Sequence, residues 1–162
     1  MSLRVGIGFD AHRLEEGRPL VLAGVRVPHR RGLAGHSDAD VLAHAVADAL
    51  LGALALGDLG ARFPSSDERW KGANSLELLR RVAAEVLEKG GRVSCLDSVV
   101  IAQEPRLAPH ADAMRANLAV ALGVDASQVG VKSKSTDRLG YEGRGEGISA
   151  QAVILVEVAD GR

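Results

Sequence analysis

The chain has 162 residues, of which 46% are hydrophobic, 25% charged and 2% aromatic, as in a globular domain whose core is mostly Ala, Val and Leu. Its formal net charge of -1 excludes a broad positive surface for nucleic acid, and its single cysteine, Cys95, excludes an internal disulfide. We recognise no signal peptide and no apolar run of membrane-spanning length, so we expect a cytoplasmic protein with one domain, residues 1–162.

The first third of the chain is expected to contain two strands, a loop and a helix. Apolar runs predict strands at Arg4–Phe9 and Pro19–Val27, with a bend or bulge at Gly24. The segment PHRRGLAGHS, residues 28–37, is rich in glycine and charge and is typical of an exposed loop. An Ala/Leu/Val pattern then predicts a helix from Asp38 to about Leu56, capped by Ser37 or Asp38.

The rest of the chain mixes helices and strands without repeats. The patterns predict a helix from about Ser75 to Lys89, begun by Asn74 or Ser75 and ended by Gly90-Gly91. The later elements are expected at Arg92–Ala102 (strand), Pro109–Leu122 (helix), Val129–Lys134 (strand) and Ile148–Val158 (strand). Because the helices are grouped rather than strictly alternating, we predict an α+β fold, with helices layered on one side of a mixed sheet.

Two polar side chains follow the first strand. Asp10 and His12 are two residues apart, so on an extended chain they point to the same side. A carboxylate and an imidazole delivered together can begin a metal site or an acid–base pair. The alternative is an ordinary hydrogen-bonded pair at a strand end.

A polar stripe also runs along the first helix. Asp40, His44 and Asp48 recur every four residues, and such spacing alone is typical of a face exposed to water. The combination with Asp10, His12 and His36 favours a site instead, because two ligands from the strand and the His44 imidazole from the helix would make a set of three nitrogen and oxygen ligands. That set leaves a fourth position open, as a catalytic zinc requires.

Two loops carry further candidates, each with a plainer interpretation. In GDLGARFPSSD, residues 57–67, Asp58 is suited to accept hydrogen bonds from a polyol, or Asp58 and Asp67 are turn and cap residues. In VKSKSTDRLGYEGRGEG, residues 131–147, cations and hydroxyls stand among glycines, which suits phosphate binding. The spacing is not that of a Walker loop, and a flexible hairpin is the alternative.

Four segments together resemble one enzyme family. GFDAHRL (8–14), GHSDADVLAHAVADALLGALALGDLGARFP (35–64), IAQEPRL (101–107) and TDRLGYEGRGEGI (136–148) are similar to 2-C-methyl-D-erythritol 2,4-cyclodiphosphate synthases of the non-mevalonate isoprenoid pathway. The resemblance covers nearly the whole chain in order. It implies a homotrimer with active sites between subunits, and conversion of 4-diphosphocytidyl-2-C-methyl-D-erythritol 2-phosphate to the cyclodiphosphate with release of CMP.

The resemblance also implies roles for individual residues. Zinc is expected on Asp10, His12 and His44, and a second divalent ion, Mg²⁺ or Mn²⁺, near Asp137. This aspartate stands where the family has a longer glutamate, so a bridging water is the alternative to direct coordination. The residues expected to stabilise developing charge are His36 and Ser135.

Substrate contacts are implied for a larger set. For the sugar-phosphate and methylerythritol groups they are Ser37, Asp58, Leu59, Gly60, Phe63 and Asp67. For cytidine and the phosphates they are Ala102, Gln103, Glu104, Pro105, Arg106, Leu107, Ala108, Lys132, Lys134 and Thr136. A cavity on the trimer axis near Tyr141, Arg144 and Glu146 is expected to hold an isoprenoid diphosphate, the alternative being a structural Arg–Glu ring.

Two other classes of function remain open at this point. A zinc-dependent phosphohydrolase would use the same three ligands to activate water and would release orthophosphate. A non-catalytic trimeric binding protein would use the same core only for assembly.

Overall fold

A computed structural model describes residues 1–159 of the chain. The strands are β1 (Ser2–Glu16), β2 (Leu20–Leu22), β3 (Val25–Val27), β4 (Arg31–Leu33), β5 (Gly91–Ile101), β6 (Val129–Lys134) and β7 (Gly147–Val158). The α-helices are α1 (Val41–Ala53), α2 (Leu59–Arg62), α3 (Ser75–Glu88), α4 (Ala111–Leu122) and α5 (Gly140–Gly143). Short 3-10 turns lie at Glu68–Trp70, Ala108–His110 and Ala126–Gln128.

Five strands form one mixed sheet in the order β4-β1-β7-β5-β6, and β2 pairs with β3 in a separate hairpin. Within the sheet, β7 runs antiparallel to both β1 and β5, whereas β5 and β6 are parallel. Helix α1 lies on β1 and β7, and α3 packs between α1 and α4. The predicted α+β fold, with helices layered on a mixed sheet, is therefore confirmed.

Helix α1 lies in direct backbone contact with β1. A Cβ atom at Gly6 would stand 1.8 Å from the Ala49 carbonyl oxygen, and one at Gly8 would stand 1.9 Å from the Ala45 carbonyl oxygen. Since real Cβ atoms do not approach oxygen so closely, only glycine fits at these two positions of the strand. His44, which precedes Ala45 in the helix, is therefore placed beside Asp10 in the middle of β1.

Asp40 is buried, contrary to the prediction of a polar stripe facing water. It caps α1, whose first residue is Val41 rather than Asp38, and accepts a hydrogen bond from the Ala43 amide at 3.0 Å. Its carboxylate also accepts from the amides of Ala23 and Gly24, at 2.8 and 2.7 Å. Burial raises the pKa of Asp40 to about 6, although the three amides favour the ionised form. The side chain ties α1 to the β2–β3 turn.

Most predicted boundaries are close to the observed ones, but the first strands differ. β1 continues to Glu16, so Asp10 and His12 lie within a strand and not at its end. The predicted strand Pro19–Val27 is two strands, because Ala23 and Gly24 adopt positive φ angles of 45° and 71° and turn the chain. The predicted loop 28–37 contains the short strand β4. Asn74 is the cap of α3, one of the two residues expected there.

Among the described residues, no helix combines the length and the apolar character needed to cross a lipid bilayer.

The contact between β1 and α1 leads to a test with two glycines. We expect Gly8→Ala to lower the free energy of unfolding by more than about 2 kcal/mol, because the added methyl must push the helix backbone away from the strand. Gly52→Ala is the matched control. Gly52 lies in α1, the helix that Gly8 contacts, and a Cβ atom added there would meet its nearest atom at an ordinary 3.8 Å.

Urea denaturation of the two variants measures both effects. Gly52→Ala should be unchanged or more stable by up to about 1 kcal/mol, because alanine is the better helix former. Equal stabilities of the Gly8→Ala variant and the original protein would contradict the close contact.

Candidate active site

Three side chains converge where β1 passes under α1. Asp10 Oδ2 lies 2.8 Å from His12 Nε2 and 2.9 Å from His44 Nδ1, and the two nitrogens are 3.2 Å apart. Within residues 1–159, this is the one group of three His, Cys, Asp or Glu side chains placed to hold a metal ion. The structure thus brings together the three residues that were predicted from the sequence as zinc ligands.

Hydrogen bonds on the far side of each ring set the tautomers of the two histidines. His12 Nδ1 donates to the Ala34 carbonyl oxygen at 2.6 Å, and His44 Nε2 donates to Ser75 Oγ at 2.8 Å. With both protons directed outward, a lone pair of each ring points at the Asp10 carboxylate. Three electron-pair donors that converge without a proton between them fit a cation. Two imidazoles and one carboxylate are a ligand set that zinc accepts, with a fourth position left for substrate.

The ionisation of the group is consistent with a cation site. Burial opposes the charged form of Asp10, but its interactions with His12 and His44 hold the pKa of this carboxyl well below its usual range. Burial likewise disfavours a charged His12, but the hydrogen bond to Asp10 and its negative charge raise the pKa of the imidazole. Because a metal binds neutral imidazoles and an ionised carboxylate, its affinity for this group should rise with pH.

The metal group forms one wall of a cavity of about 380 Å³, a volume within the usual range for small-molecule sites. The predicted residues His36, Ser37, Leu59, Gly60 and Phe63 also line it. Among the apolar residues that line the cavity, Phe63 meets Trp70 edge to face, with ring centroids 4.9 Å apart. One cavity thus combines a metal group with an apolar surface for a carbon skeleton.

One arginine holds the loop that carries His36. Arg18 Nη1 donates to the Gly35 carbonyl at 3.1 Å, and Arg18 Nη2 donates to the Ser37 carbonyl at 2.9 Å. These carbonyls flank His36, whose Nε2 donates to the Asp67 carbonyl oxygen at 3.2 Å. The backbone and the ring of His36 are therefore both fixed at the cavity.

Asp58 and Asp67 act as helix caps, as the plainer interpretation predicted. Asp58 caps α2 by accepting from the Ala61 amide at 2.8 Å, and Asp67 caps the next turn by accepting from the Arg69 amide at 3.0 Å. Neither side chain lines the 380 Å³ cavity. A contact between Asp58 and a polyol remains a prediction.

The predicted cytidine segment lies apart from the metal group. Residues 102–108 line a second cavity of about 410 Å³ with Ser133, Lys134 and Ser135, and no residue lines both cavities. Next to it, Ser135 Oγ donates to Asp137 Oδ1 at 3.2 Å. Among the described residues, Asp137 belongs to no cluster of three metal ligands. A divalent ion at a single carboxylate would need phosphate oxygens from a ligand, which is how Mg²⁺ is commonly held.

The remaining candidates on the 131–147 segment have partners within the chain. Lys132 pairs with Asp97, and Thr136 donates to the Leu139 carbonyl. Arg144 Nε lies 2.7 Å from Glu146 Oε1. The segment is not a hairpin, because β6 pairs with β5 whereas β7 pairs with β1 and β5. That alternative was wrong.

Sequence reasoning missed several residues of the site. Ser75, Trp70 and Leu78 adjoin the metal group or line its cavity, yet they come from a segment without a recognisable motif. Asp48 also lines the cavity and accepts a hydrogen bond from the Leu59 amide at 2.7 Å. Its position one turn beyond His44 was the only pattern that could have indicated it.

Comparison with known proteins identifies the family. The model of the YgbB family matches residues 3–157. The chain belongs to the YgbB family. A 2-C-methyl-D-erythritol 2,4-cyclodiphosphate synthase of Syntrophomonas wolfei subsp. wolfei is 58% identical over 157 residues, which cover 97% of this chain and all of the relative.

Solved structures of related proteins have the same fold. The bifunctional IspDF from Campylobacter jejuni matches 98% of this chain with a TM-score of 0.94 and 42% identity, and this chain spans 43% of that protein. A CDP-bound form of 2C-methyl-D-erythritol-2,4-cyclodiphosphate synthase matches 95% of this chain and all of its own, with a TM-score of 0.87 and 37% identity.

The converging ligands predict one tightly bound zinc ion per chain. We expect His44→Ala to lose this zinc and remain folded, because one of three ligands is removed while the Gly-mediated packing of α1 is unchanged. His36→Ala is the control, since His36 lines the same cavity but is not one of the converging ligands.

Metal analysis of the dialysed proteins, with circular dichroism to confirm folding, measures the outcome. His36→Ala should keep its zinc. Full zinc occupancy in folded His44→Ala would show that the ligand assignment is wrong.

Proposed function

We propose that this chain is a zinc-dependent 2-C-methyl-D-erythritol 2,4-cyclodiphosphate synthase of the non-mevalonate isoprenoid pathway. It would convert 4-diphosphocytidyl-2-C-methyl-D-erythritol 2-phosphate to 2-C-methyl-D-erythritol 2,4-cyclodiphosphate and CMP. The observation that carries the proposal is the convergence of Asp10, His12 and His44 at the wall of a cavity, in a chain of which 97% matches a synthase of that name.

The reaction is an intramolecular phosphoryl transfer. An oxygen of the 2-phosphate attacks the β-phosphorus of the CDP group, and the bond from that phosphorus to the bridging oxygen breaks, so CMP leaves with the electron pair. Nucleophile and electrophile belong to the same molecule, so the protein needs no covalent nucleophile. It has to fold the substrate and offset negative charge as the phosphates approach.

Each group of residues has a role in this scheme. Zinc on Asp10, His12 and His44 would supply a Lewis acid for a phosphate oxygen, and Mg²⁺ or Mn²⁺ near Asp137 would neutralise charge on the diphosphate. His36 and Ser135 would donate hydrogen bonds to oxygens that gain charge. The apolar wall with Phe63 would hold the methylerythritol carbons, with Ser37, Leu59 and Gly60 beside it. The second cavity, residues 102–108, would hold cytidine.

The CDP-bound relative supports a nucleotide substrate for this chain, and with it the synthase rather than the two alternative functions. A non-catalytic trimer would not require three converging metal ligands in a cavity. A phosphohydrolase would use the same ligands, but it would transfer the phosphoryl group to water.

The nature of the nucleophile separates a synthase from a hydrolase. A substrate analogue that lacks the 2-phosphate keeps the bond that a hydrolase would cut but has lost the internal nucleophile. We expect CMP formation from this analogue to be at least about 10³-fold slower than from the complete substrate, because the entropic advantage of an intramolecular attack is gone.

Chromatography of CMP from both compounds provides the measurement, and binding of the analogue by calorimetry is the control for occupancy. Comparable CMP release from both compounds would favour the phosphohydrolase.

We propose in addition that the protein is a homotrimer in which each active site joins two subunits. The two cavities of one chain are lined by separate residues, although one substrate molecule would have to contact both sets. The sheet also presents an apolar outer face, opposite the helices. Its exposed side chains are Leu3, Val5, Ile7, Phe9 and Val153. An apolar surface of this kind indicates a protein–protein interface, and a second copy of the chain is the proposed occupant.

The axis of the proposed trimer is a further candidate site. Tyr141 and Arg144 would border it, and an isoprenoid diphosphate is the proposed ligand. The alternative is a structural ring of Arg144 and Glu146, which pair with each other within the chain. We place the reaction in the cytoplasm, consistent with the free Cys95.

Shared sites predict complementation between two inactive variants. His44→Ala disables the metal half, and Ser135→Ala with Asp137→Ala disables the nucleotide half, so each homotrimer should be nearly inactive. In a cyclic trimer, the contacts are head to tail, so every mixed ring contains one junction between two intact halves. Equimolar mixing makes about three quarters of the rings mixed, so roughly a quarter of the original activity should return on co-refolding.

CMP formation before and after subunit exchange measures the recovery, and native mass spectrometry verifies that mixed rings are present. Mixed rings without recovered activity would show that each chain builds a complete site of its own.

A further inference from the structure

A buried serine and an aspartate lie directly behind the metal group. Ser75, the first residue of α3, has 1% of its surface exposed. Its hydroxyl donates to Asp38 Oδ1, and its amide donates to Asp38 Oδ2 at 3.1 Å. Asp38 Oδ1 also accepts from the Asp40 amide at 3.2 Å. The Asp38 carboxylate is therefore held in place by two backbone amides and the serine hydroxyl.

The direction of these hydrogen bonds determines what Ser75 offers to His44. A serine hydroxyl has one hydrogen, and here that hydrogen is directed at the Asp38 carboxylate. Ser75 Oγ can therefore only accept from His44 Nε2, at 2.8 Å. The proton of the ring is kept on Nε2, and the lone pair of Nδ1 is kept toward Asp10.

A neighbouring serine is less suited to this task. Ser37 Oγ is 3.3 Å from His44 Nε2 and accepts the Ala39 amide at 3.1 Å. It also lines the cavity, where a ligand can compete for its hydroxyl. The shorter and buried contact is the one with Ser75.

We infer that Asp38 and Ser75 are positioning residues that fix the tautomer of His44 and thereby set the zinc affinity of the site. The inference rests on the proposed zinc centre. Partners behind metal-bound histidines typically change metal affinity 10- to 100-fold when they are removed. Neither Asp38 nor Ser75 touches the metal position, so their effect would pass through the orientation and protonation of one ring.

The test measures zinc affinity and the His44 tautomer in three variants. Zinc is removed with a chelator, its dissociation constant is measured by competition with a chromophoric chelator, and long-range ¹⁵N correlation spectra of histidine-labelled, zinc-free protein report the tautomer. Ser75→Ala should bind zinc about 10- to 100-fold more weakly and lose the single Nε2–H form. Ser98→Ala is the matched control, because Ser98 is a buried serine that donates to the Gly130 carbonyl at 2.7 Å, far along the chain from the site.

Two substitutions at Asp38 test the direction of the bonds and replace Ser75→Ala if that variant does not fold. Asp38→Asn keeps an oxygen that can accept the Ser75 hydrogen, so the affinity should fall only a few-fold. In Asp38→Ala, the Ser75 hydroxyl is free to donate to His44 Nε2. That change should favour a proton on Nδ1 and weaken zinc at least as much as Ser75→Ala does.

The possible results separate this inference from the proposed function. Unchanged zinc affinity and tautomer in Ser75→Ala, or an equal loss in Ser98→Ala, would overturn the inference and leave the zinc centre intact. Equal affinities of Asp38→Asn and Asp38→Ala would also contradict it. Failure of the original protein to bind zinc would overturn the zinc centre itself, and the inference with it.

Discussion

The contact of the α1 backbone with β1 is the constraint on which the candidate site depends. Asp10 and His12 come from the strand and His44 from the helix, so their separation is set by how closely the two elements approach. Gly6 and Gly8 permit an approach that any side chain would prevent. On the helix surface that faces β1, the contacts are made by alanines, Ala45 and Ala49, which have no large side chain to hold the two elements apart. The metal ligands are therefore held by packing of small residues, and no flexible loop has to bring them together.

Local charge compensates for a chain that is nearly neutral overall. A multiply phosphorylated substrate needs positive charge, but the formal net charge is -1. A cation bound at one point would supply this charge, because the hydrogen bonds of His12 and His44 turn two imidazole lone pairs toward the Asp10 carboxylate. Buried carboxylates nearby, such as Asp40, are satisfied by backbone amides and do not compete for that cation.

Sequence patterns predicted the fold class and the later helices and strands, because periodicity is a local property. Asp10, His12 and His44, which converge to a group able to hold a metal, were predicted from their residue chemistry together with the family resemblance. The patterns failed at Asp40, since an aspartate every four residues looks the same whether it faces water or caps a helix from within. They also missed Ser75 and Trp70, which reach the site only through tertiary packing. The division of the candidate residues between two cavities was equally invisible, because it depends on how β5 and β6 lie relative to β1.

Strand β1 carries two kinds of residue in alternation. Gly6, Gly8, Asp10 and His12 face the helices, while Leu3, Val5, Ile7 and Phe9 face outward. Because the two sets differ by one position, inserting or deleting a single residue between Gly8 and Asp10 would turn the second part of the strand over relative to the first. Metal ligands and glycines would then no longer share a side. One apolar residue can replace another at the outward positions of this strand during evolution, but the number of residues between Gly6 and His12 is not free to change.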